Sequence, residues 1–316
     1  MTLPYHHDAP DHGGDIDAAV ARFGGVREGW IDLSTGINPQ PYPLPDFAPD
    51  VWAALPDRAA EMALQTAARR FWRVPEGAGV LAAPGASALI AQLPHLVPPG
   101  RVAIPGPTYN EHGRAFAAAG WRLGAGDALV LVNPNNPDGR VWAVAEAEAP
   151  FCIIDESFCD VGPDASLISL AARPGTVVLK SFGKFWGLAG LRLGFAIGDP
   201  ALLAGLAARL GPWPVSGPAL VVGALALADE GWAAATRARL DVDAARLDAL
   251  VPAALVGGTP LFRLYDTPDA ARWQAALARH HVWSRVFPYS ARWLRLGLPG
   301  TGQWDRVAAA LREVNA

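Results

Sequence analysis

Five short apolar runs, each continuous rather than alternating, limit what this chain can become. They are GVLAAP at 79–84, RVAIP at 101–105, ALVLVNP at 128–134, FCIIDE at 151–156 and TVVLKSF at 176–182. A strand with one face in water alternates apolar and polar residues, whereas a strand covered on both faces does not. Helical patterns such as NEHGRAFAAAG at 110–120 lie between the runs. Strands that alternate with helices describe an α/β sheet with mostly parallel strands. Residues 58–72, RAAEMALQTAARRFW, read as an amphipathic helix with Ala59, Met62, Ala63 and Thr66 on one face.

The texture changes after PWPVSGP at 212–218, where proline breaks the pattern. A long Ala- and Arg-rich helical stretch over 219–250 leads into LFRLYD (261–266), HVWSRVF (281–287) and WLRLGL (293–298), which read as strands of a second, smaller α/β domain. With 316 residues, 51% of them hydrophobic and 12 of them Trp, the chain can bury a sizeable core. A net charge of −4 without a basic tract argues against nucleic-acid binding. No apolar run approaches the roughly 20 residues of a membrane helix, and MTLPYHHDAPDHGGD lacks the basic start and apolar centre of a signal peptide. Cys152 and Cys159 are too few for a disulfide framework or a zinc site and read as buried thiols, so no metal and a cytoplasmic location are expected.

In α/β sheets ligands gather beyond the carboxyl ends of the strands. There the sequence places Gly85, Ala86 and Ser87 at a helix start, where free N–H groups suit a phosphate. It also places Asn136 in NPNNPDG, Asp155 at the end of FCIID, and Ser181, Lys184 and Arg192 along SFGKFWGLAGLRLG. A lysine amine condenses with a carbonyl, and a carboxylate keeps a pyridine nitrogen protonated. Together these groups ask for a phosphate-bearing ligand with a basic ring nitrogen and an electrophilic carbon: pyridoxal phosphate. Of the two lysines four apart, Lys184 is the chemical one and Lys180 reads as a charge at a strand end.

The spacing Ser181-x-x-Lys184-x7-Arg192 resembles the lysine signature of the class I/II aminotransferases of fold type I, and the order of motifs matches over most of the chain. The resemblance implies a large cofactor-binding domain (36–215), a small C-terminal domain (216–316) and an N-terminal arm (1–35) that contributes to the small domain and the active site. By the same resemblance Lys184 carries the cofactor, Asp155 pairs with its ring nitrogen, and Tyr109 of GPTYNE stacks on the ring. Asn136 would bond the ring hydroxyl, while Gly85, Ala86, Ser87, Ser181 and Arg192 hold its phosphate. Arg295 of WLRLGLP would bind a substrate α-carboxylate. A homodimer is implied, although Leu55 of ALPDRAA stands where relatives carry a tyrosine that reaches the partner's cofactor phosphate.

HGGDIDAAVARFG (12–24), WIDLSTGINPQPYP (30–43) and DESF, with Phe158 in place of a tyrosine, resemble the threonine-phosphate decarboxylase branch of cobalamin biosynthesis. That branch implies a phosphorylated amino acid substrate, with His12, Gly13, Gly36, Asn38 and Arg285 as further substrate-binding candidates. A guanidinium fork suits phosphate, so Arg285 would take that end while Arg295 takes the carboxylate. The same parts also serve an aminotransferase acting on histidinol phosphate or a related compound, and the motifs leave that alternative open. Because Lys184, Asp155 and Arg192 are all kept, a non-catalytic binding protein is disfavoured.

Overall fold

The computed structural model describes residues 12–314; the first part of the expected N-terminal arm, 1–11, lies outside the described residues. Two compact units form, one from residues 40–241 and one from 12–39 together with 242–314. In chain order, β1 (Ile31–Asp32) belongs to the smaller unit. The larger unit then contributes β2 (Gly79–Ala83), β3 (Arg101–Ala103), β4 (Arg122–Leu123), β5 (Ala128–Val132), β6 (Phe151–Asp155), β7 (Thr176–Ser181) and β8 (Gly194–Gly198). The chain returns to the smaller unit with β9 (Ala254–Thr259), β10 (Phe262–Asp266), β11 (Val282–Trp283), β12 (Arg285–Phe287) and β13 (Ser290–Gly297).

The larger unit is built on a seven-stranded sheet in the order β2-β8-β7-β6-β5-β3-β4. β4, β3, β5, β6 and β7 run parallel, and β8 lies antiparallel between β7 and β2. All five apolar runs become strands of this sheet. In β5, β6 and β8 every residue is buried, as continuous apolar runs require when both faces are covered. The core packed on it includes Phe116, Trp121, Val130, Ile153 and Val177. β8, GFAIG, has no comparable run in advance of the structure and is the one central antiparallel strand.

The helix at 58–72 forms as Arg58–Phe71, capped by Asp57, but turned differently from the expected stripe. Leu64 and Ala68 are its buried residues, and Met62 is 56% exposed. The stripe at 60, 64, 68 and 71 follows the helical repeat equally well, and burial chose it. The stretch at 219–250 is two helices, Gly217–Ala228 and Glu230–Leu250, broken at Asp229. Asp229 accepts a bond from the Trp232 backbone N–H at 2.9 Å, which caps the second helix.

In the smaller unit, a four-stranded antiparallel sheet runs β12-β13-β10-β9. The run HVWSRVF is divided rather than one strand: β11 pairs in parallel with β1, and β12 pairs with β13. Ser284 stands at the division, its carbonyl taken by the Gln274 side chain at 2.8 Å. Among the described residues, no single helix is long and apolar enough to cross a membrane.

Candidate active site

Register across three strands builds one end of the site. Ala83 of β2 and Ser181 of β7 both pair with Gly194 of β8. The turn after Ala83 and Ser181 therefore flank Gly194 from either side. That turn carries Gly85, with φ +85°, into the helix Ala86–Gln92, and Ser87 is exposed in the helix's first turn. A side chain at Gly194 would come within 2.4 Å of the Ala86 nitrogen, so glycine is what lets β8 approach the helix start. A side chain at Gly85 would meet the Arg192 guanidinium at 2.6 Å. Arg192 itself sits in the left-handed region, φ +53°, and donates to the Ala189 carbonyl at 3.0 Å. Helix-start N–H groups and an arginine thus lie close to Gly194 and Gly85, with Ser181 one strand beyond, and groups of these kinds suit a phosphate.

The next two strand ends supply a buried acid. Asp155 closes β6 and is 2% exposed. Its Oδ2 lies 2.8 Å from His112 Nε2, and its Oδ1 accepts from the Ser157 backbone N–H and hydroxyl at 2.9 and 2.6 Å. Burial pushes the carboxyl pKa up, but the bond and charge of His112 and the Ser157 bonds outweigh it and hold it below the ordinary value. Asp155 is an anion kept in the interior. Tyr109, at the start of the helix Asn110–Ala118, is half-buried with its ring edge-on to His112. Its hydroxyl pKa is pushed up to about 12, by burial first and then by the charges of Glu111 and Asp155, against the pull of Arg192.

Lys184 follows β7 in the turn SFGKFWG, with its Nζ 5.2 Å from the centre of the Phe158 ring. Phe158 is buried three residues beyond Asp155 and faces the lysine with an aromatic surface. Asn136 lies half-buried after β5 in the turn that Asn135 organises, through bonds to Thr108, Pro107 and Asp138. Lys180 is no solvated strand-end charge. It is 2% exposed and ion-paired with Glu156 at 2.7 Å, because two carboxylates share its side of the strand ends.

The smaller unit holds every expected substrate residue. Arg285 of β12 and Arg295 of β13 are direct cross-strand partners. Arg295 is buried and donates to the Ser34 carbonyl. Arg285 donates to the His12 carbonyl at 3.0 Å, so the backbone of His12 meets the arginine. Gly13 packs where a side chain would strike the Ser34 carbonyl, and the Gly14 N–H donates to Ser34 Oγ at 2.7 Å. Gly36, φ +68°, lies against Gly297 beside Arg295, and Asn38 is buried. The Arg295 pKa is pushed down to about 10, by burial first and by the charge of Arg285 second. Two cations thus stand on adjacent strands, one of them buried.

A family model, aminotransferase class I and II, matches residues 122–311. A threonine-phosphate decarboxylase of Sinorhizobium sp is 42% identical, covering 94% of this chain and 96% of that protein. One of Pseudomonas aeruginosa is 39% identical, covering 95% and 97%. The chain belongs to the class I and II aminotransferase family. A solved aminotransferase, the histidinol-phosphate enzyme of Sinorhizobium meliloti in complex with pyridoxal-5'-phosphate, superposes with a TM-score of 0.79 at 18% identity, over 99% of this chain and 98% of that one. That likeness establishes the shared α/β fold.

Within the aminotransferase fold all nine cofactor-binding candidates lie in the larger unit, at or near strand ends. The six substrate candidates lie in the smaller unit. His112 was missed from the sequence, since a lone histidine on a helix gives no signal of its own. Its spacing three residues after Tyr109, which places both on one side of the helix start, is the only hint available.

Proposed function

We propose that this chain is a pyridoxal-phosphate-dependent decarboxylase acting on L-threonine O-3-phosphate, releasing carbon dioxide and (R)-1-amino-2-propanol O-2-phosphate in cobalamin biosynthesis. The observation that carries the choice of substrate class is the Arg285–Arg295 pair. Two adjacent guanidinium groups match a ligand with two anionic ends. The likeness at 42% and 39% identity to threonine-phosphate decarboxylases, over nearly the whole chain, supports phosphothreonine as that ligand.

The residues present fit the cofactor. At Gly85 and Gly194 any side chain would fill the space beside Arg192 and the helix start, where a phosphate needs room. Asp155, kept anionic in the interior, suits a protonated pyridine nitrogen. Gly85, Ala86, Ser87, Ser181 and Arg192 would hold the phosphate, Asn136 the ring hydroxyl, Tyr109 the ring face and Lys184 the aldehyde carbon. When bound, pyridoxal phosphate supplies an electron sink for the pair left on the substrate Cα as the carboxylate departs.

The protein's own task is orientation. Arg295 takes the substrate carboxylate and Arg285 the phosphate, with the His12–Gly13 backbone, Gly36 and Asn38 shaping the space around them. Anchoring both ends fixes which bond at Cα stands ready to break. Lys184 Nζ, facing the apolar ring of Phe158, returns a proton to Cα. The active form is a homodimer. Trp52, Leu55, Met62 and Trp213 are all more than half exposed on the larger unit, large apolar side chains that a partner copy would cover.

Incubation with O-phosphothreonine, without any keto acid, tests the assignment. Carbon dioxide and the amino alcohol phosphate are expected in equal amounts. Turnover only when a keto acid is added would make the chain an aminotransferase.

A further inference from the structure

The strand ends that carry the cofactor candidates also carry a second set of side chains, pointing the other way. Side chains alternate along extended chain. Lys180 precedes Ser181 and Glu156 follows Asp155, so both turn from the site into the interior. The Glu156 N–H still bonds the Leu179 carbonyl at 3.0 Å, which continues the ladder one residue past β6. Lys180 Nζ lies 2.7 Å from Glu156 and 3.5 Å from Asp160. Burial lowers the lysine's pKa, but the charges of Glu156 and Asp160 raise it further, so it remains an ammonium.

Every carboxylate here is saturated. Glu156 also accepts from Asn133, just past β5, at 3.3 Å, and from Ser166 at 2.6 Å. Asp160 accepts from the indole N–H of Trp72 at 2.9 Å and of Trp186 at 3.1 Å. Its carbonyl takes Arg237 Nε at 2.7 Å. Two anions and two cations balance locally. Such a buried ion pair adds little net stability, because desolvation offsets most of the attraction. What it does supply is a fixed arrangement.

The arrangement falls where it matters. Asn133, Glu156 and Lys180 belong to the ends of three neighbouring strands, and each lies one to four residues from Asn136, Asp155 or Lys184. The turn bearing Lys184 is held on both sides by one carboxylate, since Lys180 before it and Trp186 after it both reach Asp160. We propose that the buried Lys180–Glu156–Asp160 cluster is a positioning device, which sets where Lys184 and Asp155 stand relative to each other. The inference rests on the cofactor assignment above, but not on the identity of the substrate.

The test uses the holoenzyme and reads the cofactor without substrate. Lys180→Met leaves two buried carboxylates short of a cation and is expected to lower the unfolding temperature and release pyridoxal phosphate together. Lys180→Met/Glu156→Gln removes both charges at similar shape and should restore the unfolding temperature. In that double variant pyridoxal phosphate should still leave on the order of 10- to 100-fold faster, and the pH midpoint of its visible absorbance should move, because the site is misaligned. Lys180→Arg, keeping the cation, should recover most of the normal spectrum. Trp186→Phe, which removes the N–H to Asp160 together with part of the buried ring packed on Phe182 and Trp232, gives an independent variant that leaves Lys180 and Glu156 in place, and the same displaced midpoint is expected. A double variant or a Trp186→Phe protein with the native midpoint and release rate would overturn the proposal and leave the cluster a purely structural one. Since no turnover is read, failure of the phosphothreonine assignment would appear separately.

Discussion

Asp155 is a carboxylate that burial alone would neutralise; His112 and Ser157 keep it charged. A carboxyl with a depressed folded pKa adds stability above its unfolded value and loses it as pH falls through the folded value. His112→Phe removes the largest opposing contribution, so the folded pKa rises and the acid loss begins at higher pH. Retention of pyridoxal phosphate, followed by absorbance through an acid titration, should show the limb displaced upward; an unmoved limb would refute this role for His112. Lys184→Ala should abolish the borohydride-reducible attachment of the cofactor, and peptide mapping of the native protein should place the adduct on 184. An adduct on 180 would show the lysines misassigned, although Lys180 is locked to two carboxylates. Arg295→Ala should weaken carboxylate-bearing analogues but spare the amino alcohol phosphate, whereas Arg285→Ala should weaken both. Each lost charge-assisted bond costs about 1.5–3 kcal/mol by titration calorimetry. Equal losses on both ligands in both variants would mean one shared anion site.

At the scale of elements, continuous apolar runs announced the parallel strands because burial on both faces leaves no polar positions to confuse the pattern. Polar residues at or beyond those strand ends singled out Asp155, Lys184 and Arg192 as candidates for a related reason: ligands on this fold gather where strands end. Partners joined only by tertiary folding were not legible. His112 and Asp155 are 43 positions apart, and nothing local in either segment names the other. β8 was obscured by its glycines, which are present for close approach rather than for strand propensity. Gly194 carries a testable consequence. A methyl there would strike the Ala86 nitrogen, a backbone atom that cannot turn aside. Gly194→Ala should push the helix start away from Ser181 and cost about 1–3 kcal/mol of stability by thermal unfolding. It should weaken pyridoxal phosphate far more than pyridoxal, which has no phosphate for that turn to hold. Equal weakening of the two would place the phosphate elsewhere.

At the scale of the molecule, the misread helix stripe and the expected dimer have one explanation. Met62 sits on a face of Arg58–Phe71 that looks apolar in sequence yet stays exposed, while Leu64 and Ala68 turn inward. The turn Pro212–Val215 shares a cavity wall with Glu61 and Gln65 of that helix, and Trp213 in it is 53% exposed. Trp52 packs its ring on Phe47 at 5.5 Å and still leaves 68% of itself exposed, and Leu55 nearby is 66% exposed. Large apolar side chains left this exposed are costly in water, and where they form one patch they mark a surface that meets another protein. A second copy of this chain would bring the same residues and bury them against each other. Sedimentation should therefore show a homodimer. The paired substitution Trp52→Glu and Met62→Glu should raise the dimer dissociation constant by at least tenfold, since each places a charge in the core of the contact. Far-ultraviolet circular dichroism of the variant should stay native, because both side chains are mostly exposed and lie outside the folded core. A native chain that sediments as a monomer at every concentration, with full activity, would break the link between this exposed face and assembly.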